Sequence, residues 1–431
     1  MKPETVSEDL GIERTGRRRI VIIGGGFAGL HFTSGLENSN YQIVLLDRNN
    51  HHTFQHLLYQ VATSSLEGNA IAFPLRKLLK KHPDFHYRMV KAKAVDSAGK
   101  SVITDGGDIQ YDYLVIATGA KTSFFGMESV AEHALPMKNI AEALDIRNRV
   151  LKNLEKAVLT KDIRERRRLS TVIIAGGGPA GVETAGAFAE FRRYVMPRDY
   201  GDLDPDMCTI YLIELLPRVL AQMSEKASRD ARDYLESMGV KVITETQITD
   251  YDGRVVKTDK GDIPAGLLLW TGGVSGAFLD GLNEGIVNKK GRIAADEFGR
   301  VKDHADIFAL GDVVQMATAD YPDGHPQLAA VAVQQGRHLA GYFLALEKNE
   351  QGSPFSYSNR GVMANVGKKK GVIEMANGRT FKGFLPWFIW LAVHLFSLAG
   401  FKNKILTLLT WAWFYLGRSM TTNIIIEKQD K

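Results

Sequence analysis

The strongest constraint on this chain is a glycine pattern that occurs twice. Residues 24–29 read GGGFAG, and about 150 residues later residues 176–181 read GGGPAG. Each copy follows a short apolar, β-branched run, RIVIIG at Arg19 to Gly24 and STVIIA at Ser170 to Ala175, and each opens a stretch with helical spacing. Strand, tight turn and helix in that order define a βαβ start. Gly24, Gly26 and Gly29, and again Gly176, Gly178 and Gly181, have the G-x-G-x-x-G spacing. That spacing lets the backbone turn sharply and approach a pyrophosphate at a helix N-terminus. The period is domain-sized, so the repeat is a duplicated dinucleotide-binding module and not a solenoid.

An acid closes the second strand of each module. Asp47 ends YQIVLLD, 18 residues past Gly29, and Glu214 ends TIYLIE, delayed by the intervening stretch from Phe191 to Met207. A carboxylate there can accept hydrogen bonds from ribose hydroxyls. It also repels a 2′-phosphate, so Glu214 predicts NADH over NADPH, with Arg218 nearby as a countervailing charge. Further strands read at Tyr113 to Ala117, Val240 to Thr244, Leu267 to Trp270 and Ile307 to Leu310. The expected class is α/β with two Rossmann-like domains.

Two of these strands run into glycine at their carboxyl ends, YLVIATGA (Tyr113 to Ala120) and IFALGDV (Ile307 to Val313). Ligands of open α/β sheets gather at such ends. The arrangement resembles the two-dinucleotide flavoprotein reductases, and the resemblance implies FAD on the first module and NADH on the second. It assigns FAD to Gly24, Gly26, Phe27, Ala28, Gly29, Asp47, Arg48, Ala117, Thr118, Gly119, Gly311 and Asp312. NADH falls to Gly176, Gly178, Pro179, Ala180, Gly181, Glu183, Glu214 and Gly272, the last within the hinge-like WTGG at Trp270 to Gly273.

The single cysteine, Cys208, rules out an internal disulfide and a Cys-x-x-Cys pair, and with them a thiol relay beside the flavin. A more particular match is HHTFQHLLYQVATSSL at His51 to Leu66, which is similar to a signature of the type II NADH dehydrogenases, with His56 where that family usually has proline. The family's GGGPTGVE pattern is met at Gly176 to Glu183 with Ala180 for threonine. The resemblance makes Glu183 a candidate for orienting the nicotinamide, with a structural carboxylate as the alternative. PQLAAVAVQQG at Pro326 to Gly336 resembles the family's quinone-site helix, with Ala330 at the first glutamine position and Gln334 at the second. Gln334 or Gln335 is then a donor to a quinone carbonyl, or simply the polar end of an apolar helix face.

After about Gly352 the composition changes. Phe384 to Phe401 is an apolar run of 18 residues and Ile405 to Leu416 one of 12. As helices they would reach about 27 Å and about 18 Å against a hydrocarbon core of about 30 Å. An interfacial hairpin accommodates both lengths, with Trp387, Trp390, Trp411, Trp413 and Tyr415 at headgroup level and Lys402, Lys404 and Arg418 on phosphates. A homodimer interface or a buried hairpin is the other reading of the same residues.

The expected organisation is an FAD-binding domain at 18–122 and 291–352, an NADH-binding domain at 123–290, and a membrane-anchoring and dimerising segment at 353–431. The net charge of +5 comes with no RRM, helix-turn-helix or zinc-finger pattern, so no nucleic-acid partner is expected. No metal is expected either, because the eleven histidines lack ligand spacing. The N-terminal stretch has no apolar h-region, which predicts a body on the cytoplasmic face of the inner membrane. The resemblance implies a membrane-associated homodimer that passes a hydride from NADH to FAD and two electrons to ubiquinone or menaquinone, without pumping protons. A reductase of a ferredoxin or rubredoxin, and an NADH-responsive flavoprotein sensor or scaffold, are the alternatives.

Overall fold

The computed structural model describes residues 8–79, 81–282, 285–417 and 423–426. They form two compact units, each assembled from three stretches of chain.

The first unit combines residues 8–52, 73–121 and 274–358. Its centre is a five-stranded parallel sheet in the order Ile307–Ala309, Tyr113–Ile116, Arg19–Ile23, Gln42–Asp47 and Phe85–Met89. Val21 and Ile23 enter one apolar cluster, whereas Ile20 and Ile22 enter another. Successive side chains of a strand point to opposite faces, so this strand is covered on both sides, as an unbroken run of Ile and Val requires. On one side the helix Phe27–Gly35 packs along the helix Ala329–Glu347, with Phe32 against Phe343 at 5.5 Å between ring centroids.

The second unit takes residues 53–72, 122–273 and the described residues from 359 onward. Its parallel sheet has the order Leu135–Pro136, Leu267–Trp270, Val172–Ala175, Ile210–Ile213 and Val240–Ile243. The helix Pro179–Tyr194 follows the central strand. An antiparallel sheet, Val362–Gly367, Lys370–Glu374 and Thr380–Gly383, lies against that helix. Gly186 makes the approach possible, since a Cβ there would collide with the Val366 carbonyl.

This division departs from the three-part scheme expected from composition. Residues 53–72 and the tail both belong to the second unit, while residues 274–290 belong to the first. The tail forms two helices, Phe384–Ser397 and Phe401–Gly417, so the second is longer than its apolar run and includes Lys402 and Lys404. The placement of the tail aromatics needs correction. Of the five aromatics expected at headgroup level, Trp387, Trp390 and Trp411 are buried inside the unit, Tyr415 is partly buried, and Trp413 alone is well exposed. The 384–397 helix packs against the antiparallel sheet and the 401–417 helix against residues 68–71, and the buried indoles lie on the packed faces. Arg418 lies outside the described residues.

Candidate functional site

Both glycine turns are built alike. Gly24 and Gly176 have φ of +107° and +103°, a region that penalises any side chain. A Cβ at Gly29 would collide with the Gly24 carbonyl, and one at Gly181 with the Gly176 carbonyl, so the third glycine lets the helix close on the turn. The middle glycines differ: at Gly26 and Gly178 a Cβ would meet nothing within 4 Å. Those two positions face open space at a helix N-terminus, where close approach of a bulky anion is the remaining reason for glycine. The helices begin at Phe27 and at Pro179, and Ala28 and Ala180 lie in their first turns.

The acids complete the parallel. Gly25 N–H donates to Asp47 Oδ2 at 2.6 Å, and Gly177 N–H donates to Glu214 Oε2. Each carboxylate takes a second backbone donor from beyond its strand, Asn49 N–H for Asp47 and Leu216 N–H for Glu214. Burial raises the Asp47 carboxyl above its ordinary range, against the pull of those donors. Arg48 is exposed beside it. Arg218 donates to the Ala221 and Met223 carbonyls, which fixes its guanidinium on its own loop.

In the first unit the remaining predicted residues gather at the carboxyl ends of the strands. A Cβ on Gly24 would collide with the Ala117 carbonyl, so the 24–29 turn and the end of Tyr113–Ile116 are adjacent. Thr118 Oγ1 is buried there without a hydrogen-bond partner, and Gly119 follows at φ +73°. Gly311 abuts Ala28, and Gln335 Oε1 accepts from the Gly311 N–H at 2.8 Å. Asp312 is held through its carbonyl by Gln327 Nε2 at 2.9 Å. A glycine cradle, an orphaned hydroxyl and open space at Gly26 suit an extended dinucleotide. His52, adjacent in sequence to the 53–72 segment, hydrogen-bonds the Gly25 carbonyl through Nδ1 at 3.0 Å, a support for the turn that the sequence did not disclose.

The two glutamines have separate tasks. Gln335 is 1% exposed, and its amide is spent on Gly311 and the Met316 sulfur, so it shapes the turn and presents no amide to an acceptor. Gln334, partly exposed, is paired both ways with the backbone of Ser358.

In the second unit Gly272 backs the Gly176 turn, where a Cβ on Gly176 would lie 2.7 Å from the Gly272 Cα. Glu183, in the second turn of the glycine-led helix, is 7% exposed. Its Oε1 accepts from Asn365 N–H at 3.1 Å and from Trp390 Nε1–H at 2.9 Å. Desolvation pushes its carboxyl up to about 8 despite these donors. Tyr59, from the 51–66 signature, accepts from Asn365 Nδ2 at 3.2 Å, and its neighbour Gln60 accepts from Trp411 Nε1–H at 2.8 Å. The signature segment, the motif helix and the tail therefore meet around one cluster. Asn365 and Glu190, which line it, escaped the sequence reading, and Trp390 was expected at headgroup level instead. The available signal was the spacing of Glu183 and Glu190, which puts two acids on one face of an Ala- and Gly-rich helix. Cys208 is buried, and that burial pushes its thiol up to about 12, which leaves it inert as a nucleophile at neutral pH.

The family model for pyridine nucleotide-disulphide oxidoreductases matches residues 18–336. The type II NADH:quinone oxidoreductase Ndh of Mycobacterium tuberculosis is 33% identical, over 96% of this chain and 91% of that protein. The chain belongs to the type II NADH:quinone oxidoreductases. Within them it is also similar to the internal alternative NAD(P)H-ubiquinone oxidoreductase A1 of Arabidopsis thaliana mitochondria, at 28% identity over 94% of this chain and 85% of that one. The structure of NDH2 from Plasmodium falciparum in complex with NADH superposes with a TM-score of 0.87, covering 95% of this chain and 100% of that chain at 21% identity, so the type II oxidoreductase fold is shared throughout. A sulfide:quinone oxidoreductase from Aquifex aeolicus matches less closely, with a TM-score of 0.72.

Proposed function

We propose that this type II oxidoreductase oxidises NADH with bound FAD and delivers the two electrons to a quinone without moving protons across the membrane. The observation that carries the reading is the duplicated turn, with Asp47 on the Gly25 N–H and Glu214 on the Gly177 N–H, in a chain of this family. FAD, held by the Gly24–Gly29 turn, Asp47, Thr118, Gly119 and the Gly311–Asp312 turn, supplies two-electron acceptance from a nicotinamide and return of those electrons to a second acceptor. Arg48, Ala117, Phe27 and Ala28 border the same cradle.

The chain's own contribution is to bind, align and exclude water. Gly176, Gly178 and Gly181 admit the NADH pyrophosphate at the helix N-terminus, with Pro179 and Ala180 in the first turn and Gly272 behind it. Glu214 holds the adenosine ribose and discriminates against a 2′-phosphate. Glu183, largely neutral near pH 7 because its carboxyl is raised to about 8, can sit beside a nicotinamide or a quinone without adding a charge. Gln334 positions the quinone end by fixing Ser358, and Gln335 does so through the Gly311 turn.

Membrane attachment follows from the tail. No helix among the described residues is long and apolar enough to cross a membrane. The exposed faces of the two tail helices carry Phe384, Leu385, Phe388, Phe396, Phe401, Leu409 and Trp413. Such a surface docks on the headgroup and acyl boundary of the cytoplasmic leaflet, with Lys402 on the phosphates and a second copy of the chain as the partner in a homodimer. The test is steady-state NADH oxidation by FAD-loaded protein with a soluble quinone, run beside ferredoxin and rubredoxin. Turnover on the quinone alone is expected, and turnover only on the iron-sulfur proteins would overturn the assignment.

A further inference from the structure

Reduction of a quinone by NADH has a fixed balance: NADH, one proton and the quinone give NAD⁺ and the quinol. The hydride brings two electrons and one proton, so the second proton comes from solvent. A site arranged to exclude water needs side chains to bring it in.

The helix Pro179–Tyr194 carries two carboxyls on one face, Glu183 and Glu190, about 10 Å apart along the axis. Both line one narrow cavity of about 20 Å³, together with Tyr59, Gln60, Asn365 and Tyr415. Glu183 is buried at the end nearer the glycine turn, whereas Glu190 is partly exposed, two turns farther on. The Tyr59 hydroxyl, which accepts from Asn365 and from Gln60 Nε2, has its own proton to give. The cavity is polar on several sides and has room for about one bridging water.

We propose that Glu190 is the solvent-side member of a two-carboxyl relay: Glu183 gives its proton to a quinone oxygen as the quinol forms, and Glu190, refilled from solvent, reprotonates Glu183 through this cavity. The idea rests on the NADH:quinone reading. An ordinary glutamate stays ionised at neutral pH and could not hold a proton for delivery. Burial raises Glu190 to about 7 and Glu183 to about 8, near the range in which a group both takes and yields a proton. The groups facing them agree with that order. Lys368, whose N–H donates to Glu190 Oε1 at 2.6 Å, and Lys370 draw Glu190 back down from the strand side. Tyr415 of the tail helix faces Glu190, and Tyr59 faces Glu183, whose shift receives no cationic contribution.

The experiment compares full-length, FAD-loaded protein with Glu190→Gln and Glu190→Asp, oxidising NADH with a soluble quinone or with ferricyanide, which takes electrons and no proton. The relay predicts that Glu190→Gln lowers the ratio of quinone to ferricyanide rate at least ~10-fold. It also predicts a larger solvent isotope effect on the quinone rate, a shifted pH profile, and recovery of the ratio by Glu190→Asp. Infrared difference spectra of the resting protein through neutral pH should lose a protonated-carboxyl band in Glu190→Gln. A parallel fall of both rates, or an unaltered ratio, overturns the relay alone. No quinone turnover by the unaltered protein overturns the NADH:quinone reading and the relay with it.

Discussion

Trp390 donates its indole N–H to Glu183 Oε1 at 2.9 Å, so a tail helix is tied directly to the helix that opens the second nucleotide motif. Both partners are buried, at 1% and 7% exposure. Trp390→Phe leaves the carboxyl with Asn365 N–H as its only donor of the two. A loss of about 1 kcal/mol is expected from the missing hydrogen bond, with more from the lost ring volume. Urea unfolding measures it, and an unchanged midpoint would show that the bond contributes nothing.

Glu183 also predicts a pH dependence of stability. Below about pH 4.5 the carboxyl is protonated in folded and unfolded chains alike, whereas between there and about pH 8 only the folded chain keeps the proton. The unfolded state then binds fewer protons, so stability falls as pH rises through that window, on the order of a few kcal/mol in all. Glu183→Gln removes this slope. Its melting temperature relative to the unaltered protein should therefore rise between about pH 5 and about pH 9, and parallel curves would contradict the buried-acid account.

Gly26 separates folding from cofactor binding. A Cβ there meets no protein atom within 4 Å, and its φ of −69° suits any residue. Gly26→Ala should fold with near-normal stability yet purify with little flavin, because the methyl group occupies the approach to the pyrophosphate. Full flavin content would remove the middle glycine from the FAD site.

The tail's exposed face sets the affinity for lipid. Phe388, Phe396 and Leu409 are each more than half exposed. Replacing all three with serine removes about 2 kcal/mol of burial apiece, for a fall in vesicle binding of at least ~100-fold. Ferricyanide turnover should persist in the triple variant. Sedimentation with anionic vesicles reads the effect, and unchanged binding would assign the face to another partner.

Much of this was legible in the residues, and for identifiable reasons. The strands at 19–23, 42–47, 172–175 and 267–270 are apolar runs buried on both faces, which declare themselves without any partner. The glycine turns with Asp47 and Glu214 were readable because only backbone geometry and an acid define them. The antiparallel strands at 255–258 and 261–264 were not, being short, with Val256 alone buried. Nor did sequence order reveal that residues 53–72 fold with residues 359 onward. The tail misled for a different reason. Its buried positions, Trp387, Trp390, Trp411 and Phe414, and its exposed positions, Phe388, Phe396 and Trp413, are equally apolar, so hydrophobicity could not tell a packed face from a lipid-facing one. Glu190 went unnoticed because its cavity is assembled from segments far apart in the chain.

The most direct test of the central claim is a sequential stopped-flow experiment on the FAD-loaded protein. NADH is added first without oxygen, and a soluble quinone second. Rapid bleaching of the flavin absorbance by NADH, then its equally rapid return with one quinol formed per NADH consumed, is the predicted result. Bleaching that quinone fails to reverse would contradict quinone as the acceptor, and no bleaching at all would contradict the assignment of the two nucleotide sites.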